Sequence, residues 1–171
     1  MAEEKTNEKK KQKNYAFIDS QNLHLSISEQ GWALDFKKFR KYLYDKYDIN
    51  KALLFIGYVP QYQSLYTNLQ EYGYILIFKP TLQKPNGKVK GNTDAELVLH
   101  AMIEYENYDK ALIITGDGDF FCLVDHLIKK DKLLKLMIPD KNAYSSLYRK
   151  YVPYMVFVSD LKIKLKYEKG K

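Results

Sequence analysis

The feature that most constrains the fold is the stretch at residues 111–120, which reads ALIITGDGDF. A short apolar run that is bounded by turn residues is typical of a buried strand. The glycines after the run predict a tight turn, which carries Asp117 and Asp119. The stretch therefore predicts a core strand with two carboxylates at its carboxyl end.

A second stretch near the start of the chain has the same organisation. Residues 15–22 read YAFIDSQN, an apolar strand that ends at Asp19 and is followed by Asn22. In a parallel α/β sheet, ligands bind in the crevice outside the carboxyl ends of the strands. Two strands that end in carboxylates suggest a site for Mg²⁺ or Mn²⁺, because these ions prefer oxygen ligands.

Predicted strands and helices alternate along the remaining chain. The strands are expected at residues 14–19, 52–59, 74–78, 111–115, 133–138 and 154–158. The helices are expected at 21–30, after Asp35, between Pro60 and Gly73, and at 93–106, 120–130 and 143–150. This alternation predicts an α/β fold whose mostly parallel sheet is covered by helices on both faces.

The length of 171 residues favours a single domain. Residues 1–13 lack aromatic side chains and predict a disordered N-terminal tail, and residues 162–171 form a Lys-rich C-terminal tail. Residues 14–161 are the expected domain and are nearly neutral, with 18 basic and 17 acidic residues. The basic excess at the ends favours polyanions, and solvated tails explain it equally well.

Composition excludes several classes of protein. No apolar run approaches the length of a membrane span, and the charged N-terminus has no secretory signal. Cys122 is the only cysteine, which fits a reducing compartment and a cytoplasmic location, and its apolar surroundings predict a core position. The chain also lacks the glycine-rich motifs of nucleotide-binding loops and the G-x-S-x-G motif of serine hydrolases.

Four aspartates stand at the starts or ends of predicted elements: Asp19, Asp94, Asp117 and Asp119. If their strands are neighbours, the carboxylates converge and repel one another, and protonation or a bound cation relieves the repulsion. Local roles are also open: Asp94 in the first turn of a helix, Asp117 in a turn and Asp119 as a helix N-cap. Asn22 lies one helical turn after Asp19, where it could orient water or a phosphate.

Three motifs in this order resemble the NYN domain, a branch of the PIN-like nucleases. They are FIDSQNL at residues 17–23, KGNTDAEL at 90–97 and TGDGDF at 115–120. The resemblance spans about residues 14–161. It implies a Rossmann-like three-layer α/β/α sandwich and a ribonuclease site that depends on Mg²⁺ or Mn²⁺.

The resemblance also implies roles for individual residues. Asp19, Asp94, Asp117 and Asp119 match the acidic metal ligands of the family, and Asn22 matches the polar residue after the first aspartate. Lys90 matches a basic residue, and Ser146 a small hydroxyl residue near the last helix. Two positions depart from the family pattern: Ser20 stands where many relatives have glycine, and His100 stands where a further acid is common.

The loop at residues 79–92 carries Lys84, Lys88 and Lys90, which we expect to hold phosphates of a nucleic acid. Three functions remain open: a metal-dependent endoribonuclease, an RNA-binding or adaptor module of the same fold, and a metal-dependent phosphatase. RNA is the expected partner. The sequence does not fix the oligomeric state, and a homodimer is compatible with it.

Overall fold

The computed structural model describes residues 11–79, 82–83, 85, 89–90 and 94–170. The strands in this part of the chain are β1 (Asn14–Asp19), β2 (Ile49–Gly57), β3 (Tyr74–Lys79), β4 (Leu82–Gln83), β5 (Val89–Lys90), β6 (Lys110–Ile114), β7 (Leu133–Ile138) and β8 (Met155–Phe157). Strands β4 and β5 pair as a small antiparallel hairpin apart from the main sheet.

The α-helices are α1 (Ser20–Glu29), α2 (Phe36–Tyr47), α3 (Gln63–Glu71), α4 (Asp94–Ile103), α5 (Phe121–Lys129) and α6 (Lys162–Leu165). Short 3₁₀ helices cover Pro60–Tyr62, Gly118–Phe120, Ser146–Tyr154 and Val158–Leu161.

The central sheet has six strands in the order β3-β2-β1-β6-β7-β8, and each neighbouring pair is parallel. Helices cover both faces of this sheet, so the predicted α/β sandwich is confirmed. The chain moves outward in one direction from β1 and in the other direction from β6. The point where the strand order reverses therefore lies between these two strands, where α/β folds bind ligands.

Alternating side chains of the central strands build two cores. Tyr15 and Phe17 of β1 belong to one buried cluster, together with residues of α4 and α5. Ala16 and Ile18 belong to the other, together with residues of α1, α2 and α3. Because successive side chains of a strand point to opposite faces, a strand buried on both faces is apolar throughout. This is why the run at residues 111–114 marks a central strand.

Local signals set several helix ends. The side chain of Asp35 accepts a hydrogen bond from the amide of Lys38 at 3.0 Å, as expected for the N-cap of α2. Phe39 and Leu43, four residues apart, place one stripe of α2 in the core. Gly73 follows α3 with a φ of +97°, a conformation that glycine adopts without steric cost.

The helix expected at residues 143–150 is displaced toward the C-terminus. The structure has a 3₁₀ segment at Ser146–Tyr154, and Ser145 caps it by accepting a hydrogen bond from the amide of Leu147. Pro153 lies inside this segment. Because proline has no amide hydrogen and clashes with the preceding turn, it prevents an α-helix over the last turn of this segment.

Cys122 is exposed, so the predicted core position of its side chain was wrong. Helix α5 buries Leu123, Val124 and Leu127, which form a stripe at helical spacing. Cys122 belongs to the same apolar run but lies outside this stripe.

The folded unit continues past residue 161, where the sequence placed the end of the domain. Leu165 is buried, and its carbonyl accepts a hydrogen bond from the amide of Asp35 at 2.8 Å. The amide of Tyr167 donates to the carbonyl of Ala33, also at 2.8 Å. At the other end, the amide of Lys13 donates to the Asp109 carboxylate at 2.8 Å. Residues of both expected tails therefore contact the fold.

No helix in the described part of the chain combines the length and the apolar character needed to cross a bilayer.

The C-terminal contact predicts a difference between two side chains of α6. Leu165 is 1% exposed and Ile163 is 92% exposed. We expect Leu165→Ala to lower the free energy of unfolding by about 2–5 kcal/mol, because it leaves a cavity. Ile163→Ala, the matched control, should change it by less than about 0.5 kcal/mol. Urea denaturation of both variants measures this, and equal effects would mean that α6 does not belong to the folded unit.

Candidate metal centre at the carboxyl ends of the central strands

Two neighbouring strands bring Asp19 and Thr115 together. Asp19 is the last residue of β1, and Thr115 directly follows β6. The Thr115 hydroxyl donates to Asp19 Oδ2 at 3.0 Å, and both residues are buried. A buried carboxylate needs such donors because burial removes its hydration.

Asp19 also begins α1. Its Oδ1 accepts a hydrogen bond from the amide of Asn22 at 3.2 Å, so the carboxylate is the N-cap of the helix. The Asn22 side chain then crosses to the β6 side, where its Oδ1 accepts from the amide of Gly116 at 2.8 Å. Asn22 thus ties the start of α1 to the turn after β6.

The turn after β6 is held by its own hydrogen bonds. The amide of Asp117 donates to Thr115 Oγ1 at 3.1 Å, and the amide of Asp119 donates to Asp117 Oδ1 at 2.9 Å. The hydroxyl of Tyr148 donates to the carbonyl of Asp117. These contacts fix the backbone that carries Asp117 beside Asp19.

Asp94 approaches the same point from the first residue of α4. Asp19, Asp94 and Asp117 each offer a carboxylate oxygen, and these three oxygens lie within 4.8 Å of one another. Asp119 lies outside this group and is exposed, but its charge adds to the burial that raises the pKa of Asp94. The structure therefore brings all four predicted aspartates to one end of the sheet.

The cluster shifts the protonation of two carboxyl groups. Burial is the main cause that raises the pKa of Asp19; the Asn22 and Thr115 hydrogen bonds oppose the rise, and the Asp117 charge adds to it. Partial burial raises the pKa of Asp94 to about 6, with further contributions from the charges of Asp19, Asp117 and Asp119. The protein thus concentrates negative charge where water does not fully screen it.

This donor set fits a small hard cation. Mg²⁺ binds oxygens at about 2.0–2.1 Å, so two ligand oxygens on opposite sides of the ion are about 4.2 Å apart. The three carboxylate oxygens, within 4.8 Å of one another, are close to such separations. A bound cation would also relieve the repulsion that, after burial, contributes to the raised pKa of Asp94.

A close backbone contact supports the turn. A Cβ atom on Gly118 would lie 2.4 Å from Ser145 Oγ and 2.9 Å from Ser145 Cβ, so this position requires glycine. Ser145 also donates its amide to the carbonyl of Gly116 at 3.0 Å. Sequence reasoning selected the neighbouring Ser146, which is exposed, and missed Ser145. The sequence did contain a signal for this position, because serine is a favourable N-cap residue and Ser145 stands directly before the 3₁₀ segment.

The remaining residues of interest from the sequence are three loop lysines and His100. Lys84 and Lys88 are outside the described residues, and Lys90 belongs to β5, for which the backbone alone is described. His100 packs edge-on against Phe55, with ring centroids 5.5 Å apart, and its Nδ1 lies 3.0 Å from the carbonyl of Glu96. Its contacts are therefore those of a packed side chain. Among the described residues, the group of possible metal ligands does not include it.

The family model of the NYN domain matches residues 14–158 of this chain. The chain therefore belongs to the NYN domain family, which has a PIN-like nuclease fold, and the resemblance of the three motifs is confirmed. No curated protein matches the chain.

A solved structure supports the fold. The crystal structure of a Vibrio parahaemolyticus protein of unknown function has a TM-score of 0.74 and 20% sequence identity. The match covers 92% of this chain and 97% of that protein. At this identity, the likeness concerns the fold alone.

The contact with Ser145 predicts that two neighbouring glycines differ. Gly118→Ala should displace Ser145 and lower the free energy of unfolding by about 1–3 kcal/mol. Gly116→Ala should be milder, because its new Cβ would meet its nearest atoms at an ordinary 3.5 Å. Adding Ser145→Gly should restore part of the loss in a double-mutant cycle. Thermal unfolding of the parent, Gly116→Ala, both single variants of the cycle and the double variant measures this, and additive effects would show that the Gly118–Ser145 contact is not the cause.

The raised pKa of Asp94 predicts how stability changes with pH without divalent cations. The pKa is about 6 in the fold and 3.8 as the reference value, so between these pH values the unfolded chain releases its proton first. Stability should therefore fall as the pH rises from about 4 to 6. Asp94→Asn removes this pH-dependent contribution to stability. At pH 7 the variant should melt roughly 2–4 °C above the parent. This shift corresponds to about 1 kcal/mol in the free energy of unfolding, and it is modest because solvent screens a partly exposed group.

Melting curves in EDTA at several pH values test this expectation. Asp160→Asn provides the control, because Asp160 is exposed, pairs with Lys141 and does not belong to the group of possible metal ligands. A parent and an Asp94→Asn variant with the same pH dependence would show that the pKa of Asp94 is not raised in the fold.

Proposed function

We propose that this protein is a metal-dependent endoribonuclease that cleaves RNA phosphodiester bonds at the aspartate cluster. The observation that carries the proposal is the group of three carboxylate oxygens, within 4.8 Å of one another, at the carboxyl ends of β1 and β6. The NYN family and its PIN-like nuclease fold support a hydrolase that acts on nucleic acid.

Asp19, Asp94 and Asp117 would hold one Mg²⁺ or Mn²⁺ ion. Such an ion, when bound, supplies Lewis-acid chemistry: it polarises a phosphate oxygen and lowers the pKa of water. Asp119, whose charge acts on Asp94, would be a further acidic ligand of the site. Asn22 uses its side-chain oxygen to hold Gly116, which leaves its amide NH₂ as the group that donates to water or phosphate.

The substrate assignment rests on charge and on the resemblance. Lys84, Lys88 and Lys90 would hold phosphates, and the exposed Ser146 would lie near the bound strand. A single cysteine fits a reducing compartment, and we propose a cytoplasmic location.

Two alternatives share the same fold. His100 is engaged in packing where a further acid is common, which favours a site for one ion and is compatible with a weakly catalytic RNA-binding module. A metal-dependent phosphatase would use the same carboxylates on small phosphoesters. Assays with labelled RNA and with p-nitrophenyl phosphate separate these functions from a ribonuclease.

The proposal predicts RNA cleavage that requires Mg²⁺ or Mn²⁺ and stops with EDTA. Asp19→Asn and Asp117→Asn should each lower the single-turnover rate by about 10² or more, on the order of 3 kcal/mol in the barrier, because a metal ligand is lost. Asp160→Asn, which replaces an exposed carboxylate outside the cluster, should keep the parent rate. Rates of the cluster variants within about threefold of the parent would contradict the assignment.

Metal binding can be measured separately from cleavage, through the melting temperature of the protein. A cation that binds only the folded state at 100 times its Kd stabilises it by about 2.7 kcal/mol, which raises the melting temperature by roughly 5–10 °C. Asp117→Asn should reduce this response. A parent protein that gains no stability from millimolar Mn²⁺ would remove the basis for a metal centre.

A further inference from the structure

Positive charge in the folded region is concentrated on one helix. Helix α2 holds five basic residues and one acidic residue: Lys37, Lys38, Arg40, Lys41, Lys46 and Asp45. Residues 14–161 hold 18 basic and 17 acidic residues in total, so outside α2 the acidic residues are in excess. Residues 14–161 are therefore nearly neutral in total charge but present a basic surface along α2.

This basic surface is concave. Between α2 and the end of α3 lies a groove of about 500 Å³, lined by Lys37, Lys38, Arg40, Lys41, Tyr44 and Tyr72 and by one acidic residue, Glu71; we call it the α2 groove. A second groove of about 340 Å³ lies on the other side of the helix and shares Lys38 and Lys41 with the first. The two shared lysines form the ridge between the grooves.

The basic surface continues toward the amino ends of the strands. The ammonium group of Lys11 lies 5.7 Å from the ring centroid of Tyr44, at the edge of the α2 groove. Lys11 also lines a further groove of about 430 Å³ with Lys13 and Lys51. The lysines thus form a band longer than one phosphate needs, which suits a polymer of phosphates.

Aromatic side chains lie within this band. Tyr44 is 47% exposed, and Tyr44 and Tyr72 both line the α2 groove. Grooves that combine lysines with exposed aromatic rings bind single strands, because the charges follow the backbone while the rings stack on bases. An acidic protein would use the lysines but not the stacking surface, so the tyrosines favour a nucleic acid.

The α2 groove lies on the face of the sheet opposite α4. Phe39 and Leu43 of α2 pack in the core cluster that contains Ile18, whereas Leu97 of α4 packs in the cluster that contains Phe17. Asp94 starts α4, so the acidic cluster and the α2 groove use different surfaces. Binding in the groove therefore needs no contribution from the carboxylates.

We propose that the α2 groove is a second RNA-binding surface, which holds the backbone of a single-stranded segment away from the cleaved bond. This inference rests on the proposed function in one respect, the choice of RNA as the polyanion. The groove adds affinity through phosphate contacts and leaves the chemistry to the aspartates.

A matched pair of double variants tests the proposal. Lys37→Gln with Lys41→Gln removes two exposed groove lysines, one of which pairs with Asp45 four residues later. The control, Lys129→Gln with Lys130→Gln, removes two exposed lysines of the α5 region, one of which pairs with Asp125 four residues earlier. The side chains of Lys41 and Lys129 are 76% and 71% exposed, so the two variants are closely comparable.

The measurement is fluorescence anisotropy with a labelled single-stranded RNA of about 20 nucleotides, longer than a typical site for one binding fold. EDTA is present, so cleavage does not contribute. The groove variant should lower the slope of log K against log[salt] by about 1.4 and weaken binding on the order of tenfold at 0.15 M salt. The control variant should bind like the parent, and Lys37→Arg with Lys41→Arg should preserve the slope.

Every outcome decides the question. Equal losses in the groove and control variants would overturn the proposal in favour of general charge attraction, and an unchanged groove variant would overturn it outright. Binding of polyglutamate but not of RNA, lost in the groove variant, would assign the surface to an acidic protein instead. Since the assay contains no divalent cation, failure of the groove is distinct from failure of the ribonuclease proposal, which only the cleavage assay tests.

Discussion

The hydrogen bond between Thr115 and Asp19 is the contact on which the site depends. It joins residues 96 positions apart in sequence, at the ends of the two strands where the strand order reverses. Asp19 is 4% exposed, so its charge relies on protein donors instead of water. The same carboxylate caps α1, and the same threonine oxygen accepts the amide of Asp117. Sheet order, helix start and turn geometry therefore meet at one buried pair of side chains.

This arrangement opposes stability and favours binding. A fold optimised for stability alone would not bring Asp94 and Asp117 to the buried Asp19, because like charges at close range raise the free energy of the folded state. Donors from Thr115 and Asn22 offset part of the cost, and the first turn of α4 stabilises Asp94 through the helix dipole. Residues that weaken a fold and converge in one place are typical of functional sites.

Sequence reasoning succeeded where the decisive interactions are local or periodic. The strand expected at residues 133–138 is present as Leu133–Ile138, because an apolar run between turn residues has few other places in a fold. It failed where a contact between residues far apart in sequence determines the local structure. The need for glycine at position 118 comes from Ser145, and α6 is held by backbone bonds to residues near Asp35. Such partners are brought together by the fold, and no pattern within one segment reveals them.

Charge segregation gives the molecule two electrostatic surfaces of opposite sign. The carboxylates at the ends of β1 and β6 repel a phosphate backbone, whereas the lysines of α2 attract it. Under the proposed function, RNA would approach the basic surface first, since that attraction extends for about a Debye length of 8–10 Å in physiological salt. A cation among the aspartates would then reduce the negative potential where the scissile phosphate must lie. Affinity and chemistry are thereby placed on separate residues, so the loss of either need not abolish the other.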